Sequence, residues 1–141
     1  MCAYNSYIGE PCCGNKDLSS LLRDDWGFPG YIVSDCWAIR DFYDENAHNI
    51  SADANEASAI AVKAGTDLNC GSSYPALVKA VEEGLITESE LDVSLERLMV
   101  ARLKLGLFAP EGAVKYANIP YDVVDSENHR LAALETARKS M

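Results

Sequence analysis

The stretch GYIVSDCW, residues 30–37, ends an apolar run on a carboxylate. Tyr31, Ile32 and Val33 are aromatic or β-branched, the composition of a short buried strand, and Gly30 marks its start. Asp35 therefore falls at the strand's C-terminal end, beside Cys36 and Trp37. A carboxylate there either caps the following turn, as aspartates after strands do, or belongs to a site doing nucleophilic or acid–base chemistry. Residue types alone leave both open. Asp67 and Asn69 in TDLNCG fall at or near the C-terminal edge of another short strand, expected on the same side as Asp35 and holding loop backbone. Asp24, Asp25, Glu82 and Glu83 sit on helices or their edges and read as solvated surface, and His48 and His129 are lone histidines on polar segments, expected at the surface. The five cysteines, Cys2, Cys12, Cys13, Cys36 and Cys70, show no C-x-x-C spacing and have no histidine nearby in a zinc-like pattern. No metal site is expected. Their odd number and the adjacent Cys12–Cys13 pair do not resemble a disulfide framework, so buried free thiols are expected.

These side chains must be positioned by elements that periodicity lays out as alternating strand and helix. Residues 1–5, MCAYN, read as the tail of a strand, and SYIGEPCCGNK as a loop with Gly, Pro and Asn as turn residues. A helix is expected after Asp17, with Leu18, Leu21 and Leu22 on one face and WGFPG as its stop. The strand 31–34 and a polar connection through His48 follow, and Asp53 with Glu56 makes a capping-box-like start to the helix ANEASAIAVKAG. After the short strand in TDLNCG, a third helix runs from Pro75 to Gly84, proline at its start and glycine past its end. TESE at 87–90 is a second capping box, and Leu91, Leu95, Leu98 and Leu105 form a stripe expected in the core. APEGAVKYANIPYDVVDSEN is irregular, before a final amphipathic stretch, HRLAALETARKSM. The alternation implies an α/β fold, a parallel sheet with helices packed outside it. The sequence starts inside a strand pattern and stops inside a helix pattern without a glycine cap. A piece of a longer parent protein is expected.

Twelve basic against 22 acidic residues give a net charge of -10, and no run of Lys or Arg could track phosphates or an anionic bilayer. Nucleic acid and membrane surfaces are thereby excluded as partners. No apolar stretch approaches the roughly 20 residues that span a bilayer, and the first residues lack a basic start followed by an apolar core.

Taken together, MCAYN, LLRDDWGFPGYIVSD, AVKAGTDLNCG, ALVKAVEEGLITESELDVSLERLMVARLKLGLF and YDVVDSENHRLAALETARKSM resemble, in order and spacing, glycoside hydrolase family 3, the β-glucosidases and β-xylosidases. SDC with AGTDLNCG is similar to the xylosidase-type branch rather than to the branch that reads SDW. The resemblance implies that residues 1–108 are the last three βα units of a (β/α)8 TIM barrel, truncated. Residues 109–141 would then be a linker towards a missing α/β sandwich domain. Barrel enzymes place their chemistry at the C-terminal ends of strands, and the resemblance makes Asp35 the nucleophile of a retaining β-glycosidase. The acid/base carboxyl, needed about 5–5.5 Å from the nucleophile, would lie in the missing domain. Tyr4 would approach the nucleophile, Met1 would line the sugar pocket and Trp37 would stack on a sugar face. The implied partner is a β-linked oligosaccharide or glycoside, with no cofactor, and members of the family are often periplasmic or extracellular. Because half the catalytic pair is absent, a competing reading is a non-catalytic remnant or weak carbohydrate-binding module. The family's N-acetylglucosaminidase branch uses a histidine-containing barrel loop that this sequence does not show.

Overall fold

The computed structural model describes residues 1–110 and 112–141, and their contacts divide them into two units, Met1–Leu105 and Gly106–Met141. In the first unit three extended segments run parallel. Cys2 bridges Ser34, and Val33 bridges Leu68, so the segments lie side by side in chain order. Cys2 N–H donates to the Val33 carbonyl at 2.9 Å, and Ser34 N–H to the Leu68 carbonyl at 2.8 Å. The expected strands are thus present as single-bridge ladders. The loop expected at 6–16 instead contains a small antiparallel hairpin, β1 (Ser6–Tyr7) and β2 (Glu10–Pro11). Ile8 and Gly9 take φ of 51° and 85° at its tip, the left-handed pair that a two-residue hairpin turn requires.

Helices start where their caps are. The Asn15 side chain accepts from Leu18 N–H at 2.9 Å and opens α1 (Lys16–Ser20), which continues as a π-turn over Leu21–Asp25. That start lies before Asp17, one cap earlier than the leucine face indicates. Asp53 accepts from Asn55 and Glu56 N–H and opens α2 (Ala54–Lys63), while Glu56 reaches back to the Ala52 N–H at 2.8 Å. Pro75 lies in a 3-10 turn, Tyr74–Ala76, that leads into α3 (Leu77–Glu82). Thr87 and Glu90 form a full capping box at the head of α4 (Glu88–Lys104).

Two apolar clusters flank α2. Ala57 and Ala61 pack with Cys13, Ala38, Ile39 and Phe42, and Ala59 and Val62 pack with Ala80 and Ile86. Alanines on both flanks allow neighbouring backbone to approach closely, which is why a short helix can be buried on two sides. The leucine stripe of α4 is not the core: Leu95 and Leu105 are exposed, Leu91 and Leu98 are half-buried, and the buried residue is Ser94. α4 is rotated so that Ser94 and Arg97 meet a buried carboxylate, and that polar demand fixes which face turns inward.

That carboxylate is Asp67. Its fully buried side chain accepts from Arg23 Nη2 and from Ile32 N–H (2.8 Å) on Oδ2, and from Ser94 Oγ (2.9 Å) and Arg97 Nη1 (2.9 Å) on Oδ1. Asp67 precedes the bridged Leu68. It therefore clamps the π-turn that continues α1, and α4, to the sheet, contrary to the expectation that it shares the side of Asp35. Burial, then the Asp67 charge, pushes the nearby Tyr74 phenol far above its ordinary value.

The second unit contains a 3-10 turn, Tyr121–Val123, and the helix α5 (Glu127–Ser140), none of whose residues is buried. Asp125 and Arg130 form an exposed two-bond ion pair at its head, 3.0 and 2.6 Å. Among the described residues no helix is long and apolar enough to cross a membrane.

Candidate active site

Asp35 directly follows the bridged Ser34, one residue beyond the end of the middle extended segment. Its own N–H donates to the Cys2 carbonyl at 3.0 Å, so the neighbouring segment fixes its backbone. Its side chain is half-exposed, and Oδ1 accepts from Cys36 N–H at 2.7 Å. That bond is the capping arrangement expected of an aspartate after a strand. It also leaves Oδ2 open to other chemistry, because one carboxylate can serve both roles.

Tyr4 comes to the same place from the first segment. Its hydroxyl donates to the Cys36 carbonyl at 2.5 Å. Partial desolvation, then the charge and hydrogen bonding of Asp35, raise the Tyr4 phenol above its ordinary value, with a smaller push from Asp41. The phenol therefore stays protonated beside the carboxylate. Tyr4 in turn is held by His48, whose Nε2 lies 2.6 Å from the Tyr4 carbonyl and donates to it. The His48 ring meets Phe42 edge-on at 6.5 Å between centroids. His48 is half-buried rather than at the surface its polar segment indicated, and it is a contact of the site. Sequence gave no signal for that, because the partner lies 44 residues away.

Trp37 is half-exposed at 51% and adopts φ 71°, with its N–H donating to the Cys70 carbonyl at 2.7 Å. Its ring edge closes on Gly71, where an added Cβ would meet Trp37 Cε3 at 3.4 Å. Trp37 is thus an exposed aromatic two residues along the chain from Asp35. Asn69 holds loop backbone, as expected: Oδ1 accepts from Ser73 N–H (3.2 Å) and Nδ2 donates to Ser34 Oγ (3.3 Å). Met1 is not brought to this group. It is 80% exposed and lines a cavity of about 260 Å³ with Leu18, Leu22, Ile32 and Thr66, none of which is a residue of the Asp35 turn. The larger hollow, about 640 Å³, lies among Arg23, Lys63, Glu90 and Arg97 on the helix side, away from Asp35.

The cysteines overturn the free-thiol expectation. Cys2–Cys13 and Cys36–Cys70 are disulfides with Cα atoms 5.1 and 4.3 Å apart, and only Cys12 is free. The pairing needs the third dimension: with Val33 beside Leu68, Cys36 and Cys70 lie three and two residues beyond the bridge and meet past the ends of the paired segments. Linear spacing of 34 residues carries no trace of it. Among the described residues no group of three or more His, Cys, Asp or Glu could hold a metal ion.

The family model described as "Glycosyl hydrolase family 3 N terminal domain" matches residues 1–101. A xylan 1,4-beta-xylosidase of Xylanibacter ruminicola is 40% identical over 144 residues, covering 100% of this chain and 16% of that protein. A probable exo-1,4-beta-xylosidase of Aspergillus clavatus is 44% identical over 131 residues, covering 89% of this chain and 17% of its own length. Among solved structures, a GH3 exo-beta-xylosidase in complex with a xylobiose aziridine activity based probe superposes with a TM-score of 0.80 at 34% identity, over 92% of this chain and 17% of that one. This chain spans about one sixth of the length of these relatives. The family's N-terminal domain is a TIM barrel, which accounts for parallel segments with helices outside them, and this helix-rich α/β chain belongs to glycosyl hydrolase family 3.

Proposed function

We propose that this chain is the part of a retaining β-glycosidase barrel that carries its nucleophile, Asp35. In this reading residues 1–108 are the last three βα units of the barrel and residues 109–141 lead towards a second domain. The single observation that carries it is the placement of Asp35. It stands one residue beyond a parallel bridge, its Oδ1 oriented by Cys36 N–H, with the Tyr4 hydroxyl anchored beside it and an exposed Trp37 next to it. Barrel enzymes work at that end of their strands.

Asp35 attacks the anomeric carbon of a β-linked sugar, the bond to the leaving oxygen breaks, and a glycosyl-enzyme forms. Water then attacks the same carbon and releases Asp35, with a second carboxyl giving and retaking the proton. Tyr4, held through its hydroxyl and through His48, keeps the Cys36 peptide oriented towards Asp35. Trp37 offers a stacking face to the sugar. Met1 joins the sugar pocket only if the first segment is held differently within the whole barrel. The substrate class is a β-xyloside or β-glucoside, in line with the names of the relatives. Two disulfides suit an oxidising compartment. The second carboxyl lies outside these residues, so the isolated chain is inactive.

A panel of chromogenic β-glycosides on the parent protein and its Asp35→Asn variant tests this reading. Turnover of one or more of them should fall by more than about a thousandfold in the variant, because the amide keeps the shape and lacks the nucleophile. Residual turnover within about tenfold of wild type removes Asp35 from the role.

A further inference from the structure

Cys36 is the hub of the turn that carries Asp35. Its N–H donates to Asp35 Oδ1 at 2.7 Å, its carbonyl accepts the Tyr4 hydroxyl at 2.5 Å, and its sulfur is bonded to Cys70. Both sides of that bond are tied down. Cys70 N–H donates to Ser34 Oγ at 2.9 Å, on the residue before Asp35, and the Cys70 carbonyl accepts from Trp37 N–H at 2.7 Å, on the residue after Cys36. Trp37 is held at φ 71°, a conformation a bulky residue keeps only where its surroundings impose it. Cys36 and its disulfide partner thus hold the far side of the peptide that donates to Asp35, while Asp35 N–H to the Cys2 carbonyl (3.0 Å) and Ala38 N–H to the Asp35 carbonyl (3.2 Å) hold the near side. Cys36 is exposed, whereas the other disulfide is shielded by Cys13, which is 1% exposed.

We propose that the Cys36–Cys70 disulfide is a reducible clasp that positions Asp35 for attack, so that Cys36 and Cys70 are positioning residues for glycosylation. The inference rests on the reading of Asp35 as nucleophile. Opening the clasp takes two electrons and two protons from a dithiol. The sulfur–sulfur bond breaks, two thiols remain on the chain, and the reductant leaves as its own disulfide. The Cys36 peptide is then held only by Ala38 N–H on the Asp35 carbonyl and by the Tyr4 hydroxyl, and the donor that fixes the carboxylate's rotamer is loosened.

The test uses the parent protein, wild type and Cys36→Ser/Cys70→Ser, with dithiothreitol as reductant. It reads kcat, KM and the rate of covalent labelling by a 2-deoxy-2-fluoro β-xyloside or β-glucoside carrying a dinitrophenyl leaving group, with the labelled peptide mapped by mass. The double variant is expected to lose about 10–100-fold in kcat and in labelling rate with KM little changed, the signature of a displaced reacting group rather than lost binding. Dithiothreitol should slow the wild type to the same level and leave the double variant unaffected. Labelling of Asp35 in the double variant at the wild-type rate overturns the inference and leaves the nucleophile assignment standing. A label on a different carboxylate overturns the assignment and the inference with it. If the double variant is not recovered folded, alkylation mapping of the reduced wild type decides. Loss of labelling should track opening of Cys36–Cys70, and loss that tracks Cys2–Cys13 instead refutes the proposal.

Discussion

Replacing Asp67 by asparagine keeps the shape of a fully buried side chain and reverses the polarity of one of its two ends. The carboxylate accepts two bonds on each oxygen, from Arg23 and Ile32 N–H on one and from Ser94 and Arg97 on the other. An amide has one acceptor oxygen; turned to keep Arg23 and Ile32 N–H, it points its NH2 at Arg97 and at Ser94, whose hydroxyl can reverse and accept. The bond from Arg97 is lost, at about 1.5–3 kcal/mol, and the three that remain weaken from a charged to a neutral acceptor, at about 0.5 kcal/mol each. Arg23 and Arg97 keep 13% and 30% of their side chains exposed and recover some hydration, which favours the lower half of that range. The expected cost is about 3–4 kcal/mol, within the ~3–5 kcal/mol typical of breaking a buried ion pair. Equilibrium denaturation of the parent protein measures the total. Hydrogen exchange of the Ile32 amide should follow the same loss, its protection falling by about 100-fold or more, since each ~1.4 kcal/mol is tenfold. Ser94→Ala removes one donor only and should cost about 1.5 kcal/mol. A loss below about 1 kcal/mol in Asp67→Asn, with Ile32 protection unchanged, would refute the clamp.

Tyr4→Phe in the parent should slow turnover about 3–10-fold, because it removes one oriented hydrogen bond to the Cys36 carbonyl and leaves Asp35 in place; an unchanged rate across pH assigns Tyr4 to packing. The Glu90 carboxyl is held below its ordinary value of 4.5 by the Thr87 N–H and hydroxyl, so its capping contribution to α4 is complete above about pH 4.5 and is lost as pH falls through the lower folded value. A Thr87→Ala variant whose stability deficit is the same at pH 3 as at pH 7 contradicts that sign. The isolated 141-residue chain should self-associate, because Ile8, Trp26 and Val78 are more than two-thirds exposed and the segment through Cys2 pairs on one side only. A cooperative melt of a monomer, by calorimetry with light scattering, counts against it.

Local chemistry was legible in the sequence. Asp53 with Glu56 and Thr87 with Glu90 begin helices where written, because a cap needs only residues three positions apart. The strand ending at Asp35 was legible too, since β-branched composition and a following turn are local properties, as were the segments that mark the family. The leucine stripe misled because periodicity reports which faces are apolar and not which face the neighbours demand. Asp67, fixed to the sheet, turned α4 towards Ser94 and Arg97. Pairwise proximity across the fold was decided only in three dimensions. Parallel register places Tyr4 against Cys36, and the connections beyond it bring Cys36 to Cys70 and His48 to the Tyr4 carbonyl, across separations of 32 to 44 residues. The sequence determined that Asp35 ends a strand; tertiary structure decided what holds it, because register is a property of neighbouring segments that no single segment encodes.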